Sequence, residues 1–358
     1  MQLRKWSVVL LTLLLAAMAM VPMVSAKTID VNTIHTPSLH VDTTQKNTNI
    51  TGAFSTLAGN DVYTVPEGSI IHHSANGITY VFDSTGKQIL VASDAASTKI
   101  ATPEGLEPAS VVHAVPQGAL LLTPPGKKNT TYVVNENGDL VMTVIDDASS
   151  GRVSPMATPL LSSNWLAWAD ATVSQISYLQ STWYTPTAPS SKGYALAIFN
   201  GLETANTILQ PVLQWNYNLN NSDWTIASWR YTSSTSYYYS PMLSVTQGDN
   251  IQGTLQYTTV NGQTGWQVTT SDLTKGTSTY YFSNYISTNT NLEIVNTLEQ
   301  AQGSNSNPYN LCGYIVFHNV NIPAVTLSSG TISYPSDWAG LFSVYFSPNP
   351  TMVTIYTP

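Results

Sequence analysis

The chain has a single cysteine, Cys312, in 358 residues. No internal disulfide is open to it, so its fold must rest on a buried core and on backbone hydrogen bonds. A lone thiol with only His318 near it in sequence reads as a core side chain, not a nucleophile. Charge is equally scarce. Asp, Glu, Lys and Arg make up 9% of the chain, with a formal net charge of −8. An acidic balance without a basic patch argues against nucleic acid as a partner. His72 and His73 are neighbours in a strand pattern, so their side chains point apart and cannot share a metal. His35, His40 and His113 have no ligand spacing. Phosphate-binding loops, dinucleotide glycine patterns and G-x-S-x-G are all missing. No metal and no cofactor are expected. Beyond the first 26 residues, no apolar run is long enough to span a bilayer as a helix.

Those first 26 residues read as a secretory signal peptide. Arg4 and Lys5 form a basic start, Val8 to Met20 an apolar segment, and Val24-Ser25-Ala26 a small-residue cleavage site. The alternative is an uncleaved membrane anchor. The expected mature protein is exported, free of the membrane once the signal is cut, and monomeric.

Residues 27–150 carry 18 charged side chains, whereas the 208 residues from Gly151 onward carry 12. Of those 12, only Arg152, Lys192, Arg230 and Lys275 are basic. The shift predicts a boundary: a β-rich N-terminal region over 27–150, a Ser/Pro-rich linker over 151–161, and a second unit over 162–358. Few basic groups also mean little self-repulsion once carboxylates protonate, which suits an acidic exterior.

The N-terminal region repeats itself. Residues 62–96 and 112–148 align with Pro66-Glu67-Gly68 on Pro116-Gln117-Gly118, and with Tyr80, Gly86 and Asp94 on Tyr132, Gly138 and Asp146. Each copy reads as a three-stranded meander with Thr-Gly and Asn-Gly at the hairpin tips. Lying between a signal peptide and a second unit, it is either a propeptide or a permanent accessory module.

The second unit is a series of short β-branched and aromatic runs broken by Gly, Asn, Pro and Ser, which predicts an antiparallel β-sandwich. The one stretch open to a helix is 167–179. The richest segment is Ala195 to Trp215. It reads as two strands joined by a turn. On the second, Ile208, Gln210, Val212 and Gln214 share one face, and Leu209, Leu213 and Trp215 the other. Two glutamines on an otherwise apolar strand need water, a partner or a ligand. A solvated outer face is the plain expectation.

The order of motifs around that strand resembles the glutamic peptidases, the eqolisins. Ser162-Ser163-Asn164-Trp165 and the run Ser181 to Pro186 precede ALAIFNG, then ILQ ending at Gln210. A Gly248-Asp249 turn and the strand NLEIVNTLEQ follow. The resemblance covers roughly residues 162–320. It implies a concanavalin-like sandwich of two packed sheets, polypeptide substrates, and a catalytic dyad of Gln210 and Glu299. Spacing from the Gly-Asp turn selects Glu299, with Glu293 as the other carboxylate on that strand. Asn200, Gln214, Trp183 and Trp229 are the implied groove residues. The chain departs from the family where Leu196 replaces a Trp, where Asn200 replaces an Asp, and in lacking disulfides. In such a dyad the carboxylate acts as general base on water while the amide holds the water and donates to the oxyanion. Two other functions remain open. Nine Trp and twenty Tyr suit a sugar-binding face as well as a peptide groove, and the fold is also compatible with a surface protein without activity.

Overall fold

The computed structural model describes residues 28–42, 44, 53–55, 62–147, 165–173, 176–189, 195–204, 207–217, 222–232, 236–285, 292–301, 312–321, 328–331, 343–346 and 352–356. Over Leu292–Ala301 it describes the backbone alone. The expected signal peptide and linker, with Ser162 to Asn164, lie outside the described residues.

The protein is all-β. Among the described residues the only helical elements are three 3-10 turns of three residues each. The stretch open to a helix, 167–179, instead contributes to two strands, Trp165–Val173 and Tyr178–Tyr184. Trp165–Val173 is hydrogen-bonded on both sides, to Leu292–Ala301 and Ser328–Thr331. Leu166, Ala167, Ala169 and Ala171 are buried. Ladder bonds and burial override the helix preference of the alanines.

Two large sheets carry nearly all the strands. In the first, Trp165–Val173, Leu292–Ala301, Ala195–Thr204, Thr207–Trp215, Trp224–Thr232 and Tyr237–Tyr239 lie side by side. In the second, Tyr178–Tyr184, Asn250–Val260, Gln263–Asp272 and Thr277–Ser283 are consecutive neighbours. The sheets meet at Gly253. A Cβ there would sit 2.9 Å from both Pro211 Cβ and the Trp183 ring, and against Asn200 Oδ1. Only glycine lets the sheets approach this closely.

The two N-terminal repeats form the expected meanders. Their tips match closely: Gly86 has φ +87° and Gly138 φ +86°. Asp83 Oδ1 accepts the amides of Thr85 and Lys87, and Asn135 Oδ1 those of Asn137 and Asp139. Both meanders lie in the second sheet, joined to each other by the parallel pair Leu140–Asp146 and Ser69–His73. Leu120–Leu122 pairs in parallel with Thr277–Ser283, and Val112–Ala114 pairs in parallel with Tyr237–Tyr239. The repeats thus extend both sheets of the second unit, and one apolar cluster runs from Val81, Val133 and Val144 to Phe199, Val212, Trp229 and Trp266.

Between the repeats the chain leaves both sheets. Lys99–Thr102 and Gly105–Pro108 form a two-stranded hairpin of their own.

Candidate functional site

Thr207–Trp215 has the alternation expected of it, but all nine residues are buried. The solvated face is therefore overturned: Gln210 is 1% exposed and Gln214 5%. The reason is the N-terminal region, whose apolar residues join Ile208, Val212 and Trp229 in one core.

Each glutamine has its own environment. Trp229 Nε1 donates to Gln214 Oε1 at 2.7 Å, and Gln214 Nε2 points to Met242 Sδ at 3.7 Å. Trp229 stacks on Tyr239, with ring centres 4.9 Å apart, and both rings contact Tyr217. Gln210 Nε2 donates to Glu104 Oε1 at 3.0 Å. Its Oε1 is buried and has no hydrogen-bond partner. Gly201 lies beside it: a Cβ there would stand 3.4 Å from Gln210 Cγ.

Glu104 is the partner of Gln210 that the sequence reading missed. It occupies the turn of the Lys99–Pro108 hairpin, and burial pushes its carboxyl up to about 8. The bond from Gln210 works against that rise, and nearby Glu107 adds to it. A signal was present: Pro103-Glu104-Gly105 is a second copy of the Pro-Glu-Gly found at residues 66–68. Glu107, on the same hairpin, accepts from Tyr237 Oη at 2.9 Å.

The implied groove residues divide between two faces. Gln214 and Trp229 share the face of Gln210, with Trp229 directly opposite Gln210 in the ladder. Asn200 and Trp183 lie on the opposite side, between the sheets. Asn200 Nδ2 donates to the Gly253 carbonyl at 3.2 Å. Trp183 is fully buried against Phe317, 5.3 Å between ring centres. Asn200 precedes Gly201 by one residue, so strand alternation turns it away from Gln210. These two pack between the sheets, on the side away from Gln210.

The strand carrying the implied base is next but one to Thr207–Trp215. Its backbone places Glu299 opposite Ala197, and Ala197 opposite Gln214. Val295 lies opposite Gly201, beside Gln210, and Glu293 lies opposite Glu203. Along the strand, Glu293 is two residues from Val295 and Glu299 is four. The side chains of Glu293 and Glu299 are outside the described residues.

Elsewhere, His72 Nε2 meets Asp147 at 2.8 Å, and His73 Nε2 meets His113 Nε2 at 3.0 Å. The two neighbours do turn apart. Among the described residues no group of His, Cys, Asp and Glu has a metal-holding arrangement, and no helix is long and apolar enough to cross a membrane. Cys312 packs on the second apolar cluster, and burial pushes its thiol up to about 12. The aromatics beside Gln210 are buried, whereas Tyr314, Tyr345 and Tyr356 form an exposed group on other strands.

No family model matches the chain, and no curated protein does. Solved structures similar to it include a scytalido-glutamic peptidase bound to a peptide-based transition-state analogue, at 19% identity and a TM-score of 0.40, over 55% of this chain and 98% of that one. SCP-B, an eqolisin peptidase in complex with the tripeptide Ala-Ile-His, aligns at 20% identity and 0.38, with the same coverage. Galectin-Ib of Xenopus laevis aligns at 9% identity and 0.24, over 46% of this chain and 99% of that one.

Proposed function

We propose that the protein is a secreted endopeptidase that hydrolyses polypeptides in acid, using Gln210 and a carboxylate of the strand Leu292–Ala301. The observation that carries this reading is the state of Gln210. It is a buried amide on an apolar strand, its Nε2 donates to a carboxyl oxygen, and its Oε1 has no partner. An amide held this way can orient a water through Oε1 while Nε2 donates to a developing oxyanion. The order of motifs around it supports the same reading.

In the cycle, the carboxylate takes a proton from the water as it attacks the peptide carbonyl. It then returns that proton to the leaving amine. Motif spacing favours Glu299 as this base. The ladder register favours Glu293, which stands closer to the Gln210 row. Neither step requires a metal or a cofactor. The same reading has the signal removed after Ala26, the mature protein acting outside the cell as a monomer, and 27–150 separable by cleavage within 151–161.

The test is hydrolysis of an unfolded protein substrate by the purified protein, followed from pH 2 to pH 8. The expected result is a maximum well below neutrality, insensitive to pepstatin and to chelators. A maximum near pH 7, or loss of activity with a chelator, contradicts the proposal.

A further inference from the structure

The hairpin Lys99–Pro108 has no partner strand in either large sheet. Two strands of four residues have little stability by themselves. Their order must come from what they dock on, and they dock on the face that carries Gln210. Ala101 N donates to the Tyr217 carbonyl at 3.1 Å. Ala101 packs against Ala195, with Leu106 beside them. Tyr237 Oη donates to Glu107, and Gln210 Nε2 donates to Glu104. The turn is also braced from within, because Thr102 Oγ1 donates to the Gly105 carbonyl and accepts the Glu104 amide.

From these contacts we propose that the hairpin is an intramolecular inhibitor, seated where a substrate peptide must lie and withdrawn before one can reach Gln210. What is inhibited rests on the peptidase reading above; the occupancy rests on the contacts alone. The hairpin uses the contacts of a bound peptide: a main-chain amide to a carbonyl, a small apolar side chain on the sheet, and an acid oxygen on the amide of Gln210. Burial keeps Glu104 a neutral acid at pH 7 and below, so the apolar face takes it without an uncompensated charge. Both ends of the hairpin continue into the repeats, and the repeats form one end of the second sheet. That tether holds the occupant at a high effective concentration, so a free peptide competes poorly. The repeats then have a purpose: they anchor the occupant.

The experiment uses the full chain and two variants, Glu104→Arg and Ala101→Pro. Glu104→Arg puts a charge and a longer side chain against Gln210. Ala101→Pro removes the amide that bonds Tyr217. The probe is a fluorescently labelled peptide with the sequence of residues 99–108, and binding is read by anisotropy. Either variant should bind the probe about tenfold more tightly than the wild-type chain does. Amide exchange over 99–108 should accelerate by a similar factor, while exchange over 250–272 stays unchanged and reports an intact fold. Equal binding to the wild type and to a variant with unchanged 250–272 exchange overturns the proposal, as does unchanged exchange over 99–108. Hydrolysis of unfolded protein separates the two claims. If binding and exchange shift as expected but no form cleaves protein, the peptidase reading fails and the occupancy stands. If Glu104→Arg abolishes cleavage that the wild type performs, Glu104 belongs to the catalytic machinery and the inhibitor proposal is overturned.

Discussion

Trp229 Nε1 and Gln214 Oε1 lie 2.7 Å apart, and this bond separates two glutamines that look equivalent in the strand pattern. Gln214 is held by the aromatic cluster of Trp229, Tyr239 and Tyr217. Gln210, four residues earlier, instead meets an acid from a distant hairpin. Replacing Trp229 with Phe keeps most of the ring and removes the donor. The expected loss of stability is about 1–3 kcal/mol, from a buried acceptor left unpaired. Chemical denaturation of Trp229→Phe measures it, and an unchanged midpoint denies the bond its role.

The contact between the sheets at Gly253 predicts a comparable response to a single methyl. Gly253→Ala places a carbon against Asn200, Pro211 and Trp183, all in the packed interior. Overpacking of this kind costs about 1–3 kcal/mol. The melting temperature should fall by several degrees. Because Asn200 and Trp183 lie on the far side of the strands from Gln210, any activity should persist at temperatures below the new transition.

The Gly-Asp turn should resist acid. Asp249 Oδ2 accepts from Thr246 N at 2.7 Å and lies 2.7 Å from Lys275 Nζ. Burial alone would raise its carboxyl, but the bonds from Lys275 and Thr246 outweigh that and hold it down at about 2. A carboxyl depressed on folding stabilises the fold above its ordinary value of 3.8. That contribution is lost only as pH falls from there towards 2. Asp249→Asn should therefore lower the melting temperature at pH 5, and the difference from wild type should shrink by pH 2.

The histidine pair responds to acid in the same direction but at a higher pH. Burial, followed by the neighbouring His113 and His72, holds the buried His73 well below 6.5. Its Nδ1 is occupied by Thr79 Oγ1 at 2.8 Å and its Nε2 by His113. A histidine kept neutral by folding gives its full contribution above pH 6.5, and that contribution declines as pH falls below it. Amide exchange in Ser69–His73 and Val112–Ala114 should accelerate on acidification beyond the intrinsic pH effect. A His73→Phe, His113→Phe double variant should remove that dependence.

Strand periodicity and turn chemistry made much of this fold legible. The alternation at 207–215 placed Gln210 and Gln214 on one face, and the glycines at 86 and 138 marked the two matching tips. What closes over that face was not legible. Sheet extension by the repeats depends on unpaired backbone groups at strand edges, which side-chain identity hardly records. The docking of Glu104 on Gln210 spans 106 residues, and a turn sequence gives no sign of where its tip will rest. Strand parity counted from Gly201 is what turns Asn200 away from Gln210, and matching a motif does not show it. At 167–179, where a helix was open, hydrogen-bonded neighbours on both sides of Trp165–Val173 decided for strand.

The most direct measurement of the central claim is the initial rate of protein hydrolysis at acid pH for four single variants beside wild type: Gln210→Ala, Glu299→Gln, Glu293→Gln and Gln214→Ala. Loss of a general base or an oxyanion donor lowers the rate by about 10²–10⁴-fold. The account predicts that loss for Gln210→Ala and for one of the two Glu variants, while the other Glu variant and Gln214→Ala, provided it folds, retain activity. Full activity in Gln210→Ala, or in both Glu293→Gln and Glu299→Gln, would contradict it.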